Sequence, residues 1–499
     1  MAVLRTAIAM PSTFLTESLD AMLAGHTESA GAAGAAALAA AAIDKVPAYR
    51  EFLRSHGVDP TAPRTDADFA RLPLMTKPGY MQRYPLPARC WGGELNVFDR
   101  VAVSTGSTGR PTFWPRSAAL EHDVAVRFEQ VFRDGFDAHR RRTLAIVCFA
   151  LGNWVGGIYT TSCLWLLAQK GYPITVATPG NKKDEIFRVV EELAPHFDQT
   201  VLLGYPPFVK DVLDAGKAAG VDWAAYNIRM VFAGEVFSEE WRALVCARAG
   251  GVDPCRSTAS LYGTADGGVL GNETPLSIAI RRFFAANPAA ARELFGESRL
   301  PTLVQYDPVS RYFETYDNTL VVTGDGGVPL VRYHIADRGG LVGFDEMRAR
   351  LSDFGAPLLE DFGFPADGSA RPLPFVYVFG RGDFTVSFYG ANIYPENVTV
   401  GLEAPEFARW LTGKFVLQVP EAATGDTFLS LVVELAPGID PAAVDVAGLA
   451  GSVQGELRRI NSEFANYVPL ERQWPTVTLR SFEDPEYFPA GVKHRYTRR

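Results

Sequence analysis

Between about residues 143 and 325, short apolar runs alternate with segments of helical periodicity. This rhythm is typical of consecutive βαβ units, in which helices cover the faces of a parallel sheet. One predicted helix, KDEIFRVVEEL, repeats apolar residues from Ile186 to Leu193 at i, i+3, i+4 and i+7, and Pro195 should end it. Further helices are expected at Phe208–Lys217 and Ser238–Arg248. The predicted strands are TLAIVCFAL (143–151), PITVAT (173–178), TVLLGY (200–205), IRMVFAG (228–234) and TLVVTG (319–324). The fold class is therefore α/β.

The pattern changes near Gly380. After GRGDF the chain has an alternating segment, VSFYGANIY, then a helix, a strand at TFLSLVVEL and a final helix from Val446 to Phe464. This tail of about 120 residues is within the usual domain range. We therefore predict a large N-terminal domain of parallel-sheet βαβ layers (1–380) and a small C-terminal α+β domain (381–499), with the boundary at Arg381–Phe384.

Charge and cysteine usage exclude several classes of protein. The 499 residues carry a formal charge of −9, and the longest basic block, Arg140–Arg142, is too short for the basic stripe of a nucleic-acid binder. The five cysteines are scattered and form no CxxC pair, so neither structural zinc nor a disulfide framework is favoured. Reduced thiols fit a cytoplasmic protein.

The N-terminal region does not resemble a targeting or membrane segment. The first 15 residues, MAVLRTAIAMPSTFL, carry a charge inside their apolar stretch, so they match a signal peptide poorly. The alanine run Gly31–Ile43 is shorter than the ~20 residues that a membrane span needs. We predict a helix there, because alanine has the highest helix propensity, and no membrane partner.

A loop rich in glycine and hydroxyl groups, STGSTGRPT (104–112), follows the apolar run Val101–Val103. Glycines let backbone N–H groups approach an anion, and the hydroxyls add donors, so the loop suits phosphate. Neither GxxxxGK[ST] nor GxGxxG occurs, which argues against P-loop NTPases and Rossmann dehydrogenases. The alternative is a flexible surface loop.

Two further segments suit parts of a nucleotide. In SLYGTADGG (260–268) an aromatic ring could stack on a purine, while Asp266 could bind Mg²⁺. In VPLVRYHIADRGG (328–340), Asp337 follows a strand-like run and could accept hydrogen bonds from ribose hydroxyls. The alternatives are an ordinary glycine-rich turn and a surface aspartate paired with Arg332 or Arg338.

Together with the GE pair in FAGEVFSEEW, GRGDF and the terminal GVKHR, these motifs resemble the ANL superfamily of AMP-forming adenylating enzymes in order and approximate spacing. Within it, the stretch VPAYREFLRSHGVDP…FARLPLMTKPGYMQRYPL is most similar to the phenylacetate-CoA ligase branch. The resemblance runs from about Ile43 to Arg499. It implies the ANL fold, with a small C-terminal domain that is mobile.

The resemblance also implies site roles. Thr264 would lie near the α-phosphate, Asp266 would bind the metal, and Lys493 would be the adenylation lysine, whose charge offsets that of the approaching oxygens. Read without the resemblance, Lys493 is a solvated tail residue. Asp383 would be the hinge. The implied nucleotide-binding residues are Ser104, Thr105, Gly106, Ser107, Thr108, Gly109, Gly234, Glu235, Tyr262, Gly263, Asp337 and Arg381.

The reaction implied by the resemblance has two halves. A small carboxylic acid attacks the α-phosphate of ATP and releases pyrophosphate, and then a nucleophile, with CoA favoured, displaces AMP. Between the halves the small domain would rotate, and a thiol tunnel would open beside Gly390. The acid pocket corresponds to Phe149–Tyr159, where Asn153, Trp154 and Gly157 would contact an acid that we expect to be aromatic. The alternative is that Trp154 is simply a core residue.

Three positions depart from the family pattern. Asp266 stands where Glu is usual, which would shift the carboxylate by about 1 Å. Phe384 replaces an acidic residue, and Tyr389 occupies a position that is often basic, so the identity of the thiol acceptor is left open. A carrier-protein thiol, a nitrogen nucleophile and a catalytically inactive nucleotide-binding homologue are the alternatives. A homodimer is a further candidate assembly.

Overall fold

The computed structural model describes residues 13–61, 66–104, 112–297, 300–356, 371–381, 385–488 and 496–497. The chain forms two compact units. Unit 1 comprises Met1–Ser104, Phe113–Gly204 and Leu213–Gly380, and unit 2 comprises Thr105–Thr112, Tyr205–Val212 and Arg381–Arg499.

The α-helices of the described residues are numbered in chain order: α1 Leu19–Leu23, α2 Glu28–Lys45, α3 Pro47–Ser55, α4 Asp66–Phe69, α5 Leu86–Arg89, α6 Ala118–Gln130, α7 Val155–Gln169, α8 Lys183–Leu193, α9 Pro206–Ala218, α10 Glu239–Arg248, α11 Pro254–Ser257, α12 Pro275–Ala286, α13 Pro288–Phe295, α14 Phe344–Asp353, α15 Pro395–Leu402, α16 Pro405–Ala408, α17 Val446–Ile460 and α18 Ser462–Tyr467. Short π-helical segments occur at Lys77–Met81 and Val131–Gly135, and 3₁₀ turns at Trp91–Gly93, Ala194–His196, Trp223–Tyr226, Pro441–Ala443 and Leu470–Arg472.

The strands are numbered in the same way: β1 Arg100–Ser104, β2 Thr112–Arg116, β3 Thr143–Val147, β4 Ile174–Ala177, β5 Gln199–Gly204, β6 Ile228–Ala233, β7 Thr258–Thr264, β8 Gly268–Asn272, β9 Thr302–Gln305, β10 Tyr312–Tyr316, β11 Thr319–Gly324, β12 Leu330–Val342, β13 Phe375–Arg381, β14 Val386–Phe388, β15 Ala391–Ile393, β16 Leu411–Gln418, β17 Ser430–Leu435 and β18 Thr476–Arg480.

An eleven-stranded sheet dominates unit 1, in the order β10-β11-β12-β13-β9-β8-β7-β6-β5-β3-β4. The pairs from β4 through β3, β5 and β6 to β7 are parallel. Every residue of β3 and β5 is buried, as expected when helices cover both faces of a parallel sheet. The five predicted strands are present, and the predicted helix at 183–193 has the bounds of α8.

The other half of the sheet was predicted less well. β11, expected among the parallel strands, pairs antiparallel with both β10 and β12. The segments SLYGTADGG and VPLVRYHIADRGG were interpreted as loops around short runs, but they form most of the β7–β8 hairpin and of the thirteen-residue β12. Glycine and aspartate are typical of turns, so their local preferences concealed strands that long-range pairing stabilises.

The predicted alanine-rich helix is α2. Four of its five buried residues are small, namely Gly31, Ala35, Ala39 and Ala42, and the fifth is Ile43. A Cβ built on Gly31 would lie 2.3 Å from the carbonyl oxygen of Pro308, so only glycine permits this approach. The helix packs into a core cluster that also contains Phe313 and Tyr333.

Unit 2 contains the β14–β15 hairpin and a three-stranded sheet in the order β16-β17-β18. The predicted strand at 427–435 is β17. The predicted final helix, Val446–Phe464, was wrong as a single helix, because it divides into α17 and α18 at Asn461. The Asn461 side chain accepts a hydrogen bond from the Phe464 N–H and donates one to the Asn392 carbonyl, which makes it a cap rather than an interior residue.

Among the described residues, no helix combines the length and the apolar character that crossing a bilayer requires. The five cysteines are free thiols, four of them buried.

Candidate active site

The site begins at the carboxyl edge of the parallel strands. Ala233, the last residue of β6, pairs with Leu261 on β7, so Gly234 and Tyr262 follow at the same level. Gly234 has a φ of +88°, which lets the chain turn away from the sheet there. Ligands of open α/β sheets bind outside this edge. The register therefore brings two of the predicted nucleotide residues side by side.

Tyr262 and Asp337 form the first pair of this site. The Tyr262 hydroxyl donates a hydrogen bond to Asp337 Oδ2 at 2.8 Å, and Asp337 is only 6% exposed. The Tyr262 ring is stacked against Phe313, with 6.4 Å between centroids and 24° between planes. Both predicted residues are thus held in one place. Phe313, which supports the ring, has no motif around it and was not predicted.

A β-bulge positions Asp337. Val321 on β11 pairs with His334 on β12, whereas Thr319 on β11 pairs with Arg338, so β12 carries extra residues between these two pairs. Ala336 has a φ of +66° in this stretch, a conformation that residues other than glycine rarely adopt. Bulges re-aim side chains and are common beside active sites. Asp337 lies within this long strand and not after it, which corrects the sequence interpretation.

The two arginines considered as partners of Asp337 bond elsewhere. Arg332 Nε donates to the Glu314 carboxylate at 3.0 Å, and Arg338 pairs with Glu297. The neighbouring His334 ring bonds the Thr319 hydroxyl at 2.7 Å. Burial lowers the pKa of His334, an effect that the Asp337 charge opposes.

The β7–β8 turn carries the second pair. The Gly267 N–H donates to Thr264 Oγ1 at 3.0 Å, which closes the turn around Asp266. The hydroxyl of Tyr333, a buried residue of β12, donates to Asp266 Oδ2. Three strands, β13, β9 and β8, separate β12 from β7 in the sheet order. The β12 side chains therefore reach the hairpin across the core, where Tyr262 packs against the buried cluster that contains Tyr333.

A polar cleft adjoins this turn. It is lined in part by Arg116, Asp266, Gly267, Arg311 and Asp325. Arg311 Nε donates to the Gly267 carbonyl at 3.2 Å, and Arg116 Nε donates to Glu121 Oε1 at 3.0 Å. Burial raises the pKa of Asp325 to about 6, although hydrogen bonds from the Gly326 N–H and the Trp91 indole oppose the shift. Two guanidinium groups thus border the candidate metal ligand.

A buried ionic cluster lies beside the start of β7 and the end of β8, and no sequence signal identified it. Arg242 is fully buried, and its guanidinium bonds Glu239 at 3.0 Å, Glu273 at 2.6 Å and the Thr258 hydroxyl at 2.7 Å. Glu273 also accepts from the Ser260 N–H at 2.8 Å, and Arg281 pairs with Glu239. Burial alone would lower the pKa of Arg242, but the charges of Glu273 and Glu239 outweigh it and raise the pKa.

The predicted acid-pocket residues follow β3. The Asn153 carbonyl accepts from the Val103 N–H at 3.0 Å, and Trp154 forms a parallel bridge with Val103 just before α7. A Cβ on Gly157 would lie 2.3 Å from the Ala150 carbonyl oxygen, so this glycine has a packing reason of its own. Their contact with an acid stays a prediction.

Several predicted residues lie outside the described residues. The loop positions Thr105, Gly106, Ser107, Thr108 and Gly109 do so, as do the hinge Asp383, Phe384 and Lys493. Ser104 ends β1 and Arg381 ends β13, but their side chains are not described either. The roles of Glu235 and Gly263 stay predictions as well.

Within unit 2, the Tyr389–Gly390 tip of the β14–β15 hairpin is inward-facing. The Tyr389 hydroxyl donates to Asp211 Oδ2 at 2.7 Å, and a Cβ on Gly390 would lie 2.1 Å from the Tyr205 ring. Arg472 binds the Asp211 carboxylate at 3.2 Å. Tyr389 is therefore buried in an ion-pair network.

Among the described residues, no group of three His, Cys, Asp or Glu side chains could hold a metal by itself. Mg²⁺ usually takes one or two carboxylates and completes its shell with water and substrate phosphates. Asp266, with one oxygen bonded to Tyr333, fits such a single ligand.

Comparison with known proteins bears on the fold. No protein-family model matches the sequence, and no curated protein matches it. Solved structures do match. A 2-hydroxyisobutyryl-CoA ligase in complex with 2-HIB-AMP and CoA in the thioesterification state has a TM-score of 0.65 and 15% identity, and the match covers 95% of this chain and 90% of that one.

The same ligase matches in two other states. In its postadenylation state with R3-HIB-AMP the TM-score is 0.53, at 14% identity, over 95% of this chain and 90% of that one. In an open conformation with 2-HIB-AMP and CoA it is 0.51, at 14% identity, over 94% and 90%. The chain therefore shares its fold with this ligase over nearly the whole of both chains, and the predicted α/β fold class is confirmed.

Proposed function

We propose that the protein is an AMP-forming adenylating enzyme that activates a small carboxylic acid with ATP. The observation that carries the proposal is the Tyr262–Asp337 pair, at 2.8 Å, level with Gly234 at the carboxyl edge of the parallel strands. A ring stacked on Phe313 and an almost buried carboxylate beside it offer a purine platform and a ribose acceptor together.

The proposed roles follow the sequence motifs. Ser104 to Gly109 would hold the β- and γ-phosphates, and Gly234, Glu235, Tyr262, Gly263, Asp337 and Arg381 would contact the nucleoside. Thr264 would lie at the α-phosphate. Mg²⁺, bound through Asp266, would supply charge neutralisation at the phosphates.

In the first half-reaction, a carboxylate oxygen of the acid attacks the α-phosphorus of ATP. The bond from the α-phosphorus to its bridging oxygen breaks, and pyrophosphate leaves with the electron pair. This chemistry depends on positioning and electrostatics more than on covalent help from the protein. Lys493 would lie between the two approaching anions and lower their repulsion.

In the second half-reaction, a thiol attacks the acyl carbon, forms the thioester and releases AMP. CoA is the proposed thiol, because the matched ligase was solved with both an acyl-AMP and CoA. The small domain would turn about Asp383 between the halves. A carrier-protein thiol or an amine would follow the same path, and an acceptor screen with acid and ATP held fixed separates them.

The acid is proposed to be aromatic, with Trp154 as a flat wall and Asn153 reading a polar substituent. The resemblance to the phenylacetate-CoA ligase branch supports this class. Five free cysteines support a reducing, cytoplasmic location.

The test is acid-dependent exchange of labelled pyrophosphate into ATP, measured over a panel that includes benzoate, phenylacetate and 2-hydroxyisobutyrate. We expect exchange with at least one acid and its loss in Asp337→Ala. No exchange with any acid of a broad panel would leave only a nucleotide-binding protein. Exchange confined to the aliphatic acids would retain adenylation and overturn the aromatic preference.

A further inference from the structure

Two tyrosine–aspartate hydrogen bonds cross between the β7–β8 hairpin and β12. Tyr262 on β7 donates to Asp337 on β12, whereas Tyr333 on β12 donates to Asp266 in the hairpin turn. In each pair the tyrosine hydroxyl donates its hydrogen bond to the Oδ2 atom of the aspartate. The two candidate ligand-binding carboxylates are thus each fixed by a phenol from the opposite segment.

Tyr333 is the member of this arrangement to which no motif assigns a role. Its side chain is 2% exposed, and a buried phenol needs a hydrogen-bond partner. Its partner Asp266 is only partly buried and sits on the β7–β8 turn, which the Thr264–Gly268 strand pair and the bond from Gly267 N–H to Thr264 Oγ1 close. These contacts fix the backbone of the turn, but without the Tyr333 bond the short Asp266 side chain could adopt other staggered rotamers.

We propose that Tyr333 is a positioning residue for the metal: it holds Asp266 by Oδ2 so that Oδ1 is presented to the Mg²⁺ that carries the nucleotide phosphates. The inference rests on the proposed function, since Asp266 is a metal ligand only if ATP binds here. Mg²⁺ requires near-ideal octahedral geometry, so an oriented single oxygen suits it better than a mobile carboxylate. Partners that orient a ligand carboxylate typically contribute 10–100-fold to metal affinity.

The crossed arrangement separates two effects that would otherwise be confused. Tyr333 acts on the metal through Asp266, and Tyr262 acts on the ribose through Asp337. Tyr333 belongs to the buried core cluster and the partly buried Tyr262 packs against it, and each loses the hydroxyl bond to its carboxylate when it becomes phenylalanine. Tyr262→Phe is therefore a matched control for Tyr333→Phe.

The experiment measures Mn²⁺ binding by electron paramagnetic resonance, with Mn²⁺ as a probe for Mg²⁺ and α,β-methylene-ATP as the nucleotide. In Tyr333→Phe, we expect Mn²⁺ to bind about 10–100-fold more weakly in the ternary complex. In Tyr262→Phe, we expect Mn²⁺ affinity to stay within about twofold, while the preference for the analogue over its 2′-deoxy form is lost. Tyr333→His, which keeps a ring and a donor, should recover part of the metal affinity.

Each outcome decides the proposal. The role of Tyr333 is overturned if a folded Tyr333→Phe protein binds Mn²⁺ as tightly as the wild type. It is also overturned if Tyr262→Phe loses as much Mn²⁺ affinity as Tyr333→Phe does. If Tyr333→Phe does not fold, Tyr333→His is used for the test instead. A Mn²⁺ affinity of Tyr333→His as weak as that of Asp266→Ala would then contradict the proposal that a hydrogen-bond donor at this position orients Asp266. A wild-type protein that binds the nucleotide analogue but no Mn²⁺ also overturns it, whereas failure to bind the nucleotide at all overturns the proposed function first.

Discussion

Asp325 should make the stability of unit 1 depend on pH. Burial raises the pKa of this carboxyl from its usual 3.8 to about 6. Because the folded state binds the proton more tightly than the unfolded state, the stabilising contribution is complete below pH 3.8. It is lost as the pH rises through 6. A shift of about two units at 1.36 kcal/mol each gives about 3 kcal/mol as an upper limit, since part of the carboxyl can still meet water.

Asp325→Asn mimics the neutral form. The Trp91 indole and the Gly326 N–H both donate to Oδ1, at 3.1 and 2.7 Å, and an amide oxygen can accept both bonds. We expect Asn to raise the free energy of unfolding by about 1–3 kcal/mol at pH 7.5 and to change it little at pH 3.5 to 4.

Urea unfolding followed by fluorescence, as mutant minus wild type at each pH, cancels the other titrating groups. The first unfolding transition should be compared, because two units need not unfold together. An equal gain at both pH values, or destabilisation at pH 7.5, would refute the reasoning.

Three further changes test the support and chemistry of the site. Arg242→Ala should cost about 3–5 kcal/mol of unfolding free energy, because it leaves buried carboxylates with fewer partners. Arg248 lies on the same helix as Arg242 but forms a more exposed pair with Asp214, so Arg248→Ala should cost under about 1 kcal/mol in the same urea titration. Equal effects would contradict the buried-charge account. Gly157→Ala should cost about 1–3 kcal/mol, since the methyl would meet the Ala150 carbonyl, while Gly34→Ala, with nothing within 4 Å, should be neutral or slightly stabilising by thermal denaturation. A tolerated Gly157→Ala would remove the packing reason for that glycine. Lys493→Ala should abolish acid-dependent pyrophosphate exchange but spare thiolysis of a supplied acyl adenylate. Loss of both together would contradict a role confined to the first half-reaction.

The parallel half of the fold could be predicted because its signals are local. Helix α8 carries its apolar stripe in its own sequence, and the fully buried β3 and β5 appear as continuous apolar runs. The antiparallel half was predicted less well. The apolar run of β11 indicates a strand but not its direction, and the signal for its direction was the two-residue turn Asp317–Asn318, which has positive φ at both residues and joins β10 to β11 as a hairpin.

The candidate site shows the same division. Glycine-rich and acidic motifs indicated Tyr262, Asp266 and Asp337, because the chemistry of a nucleotide requires such groups. Tyr333 and Arg242 could not be identified, since their importance comes from which carboxylates they meet in the folded chain. A tyrosine in a strand and an arginine in a helix are ordinary in sequence.

The central claim is that the acid becomes linked to AMP before transfer. The most direct measurement uses an acid labelled with ¹⁸O in both carboxylate oxygens, together with ATP and the thiol, followed by mass spectrometry of the released nucleotide and phosphates. The acid oxygen that attacks the α-phosphorus stays on AMP when the thiol attacks the acyl carbon and AMP leaves. We therefore predict one ¹⁸O in AMP and none in pyrophosphate. Label in inorganic phosphate with ADP as the nucleotide product, or unlabelled AMP, would contradict the account.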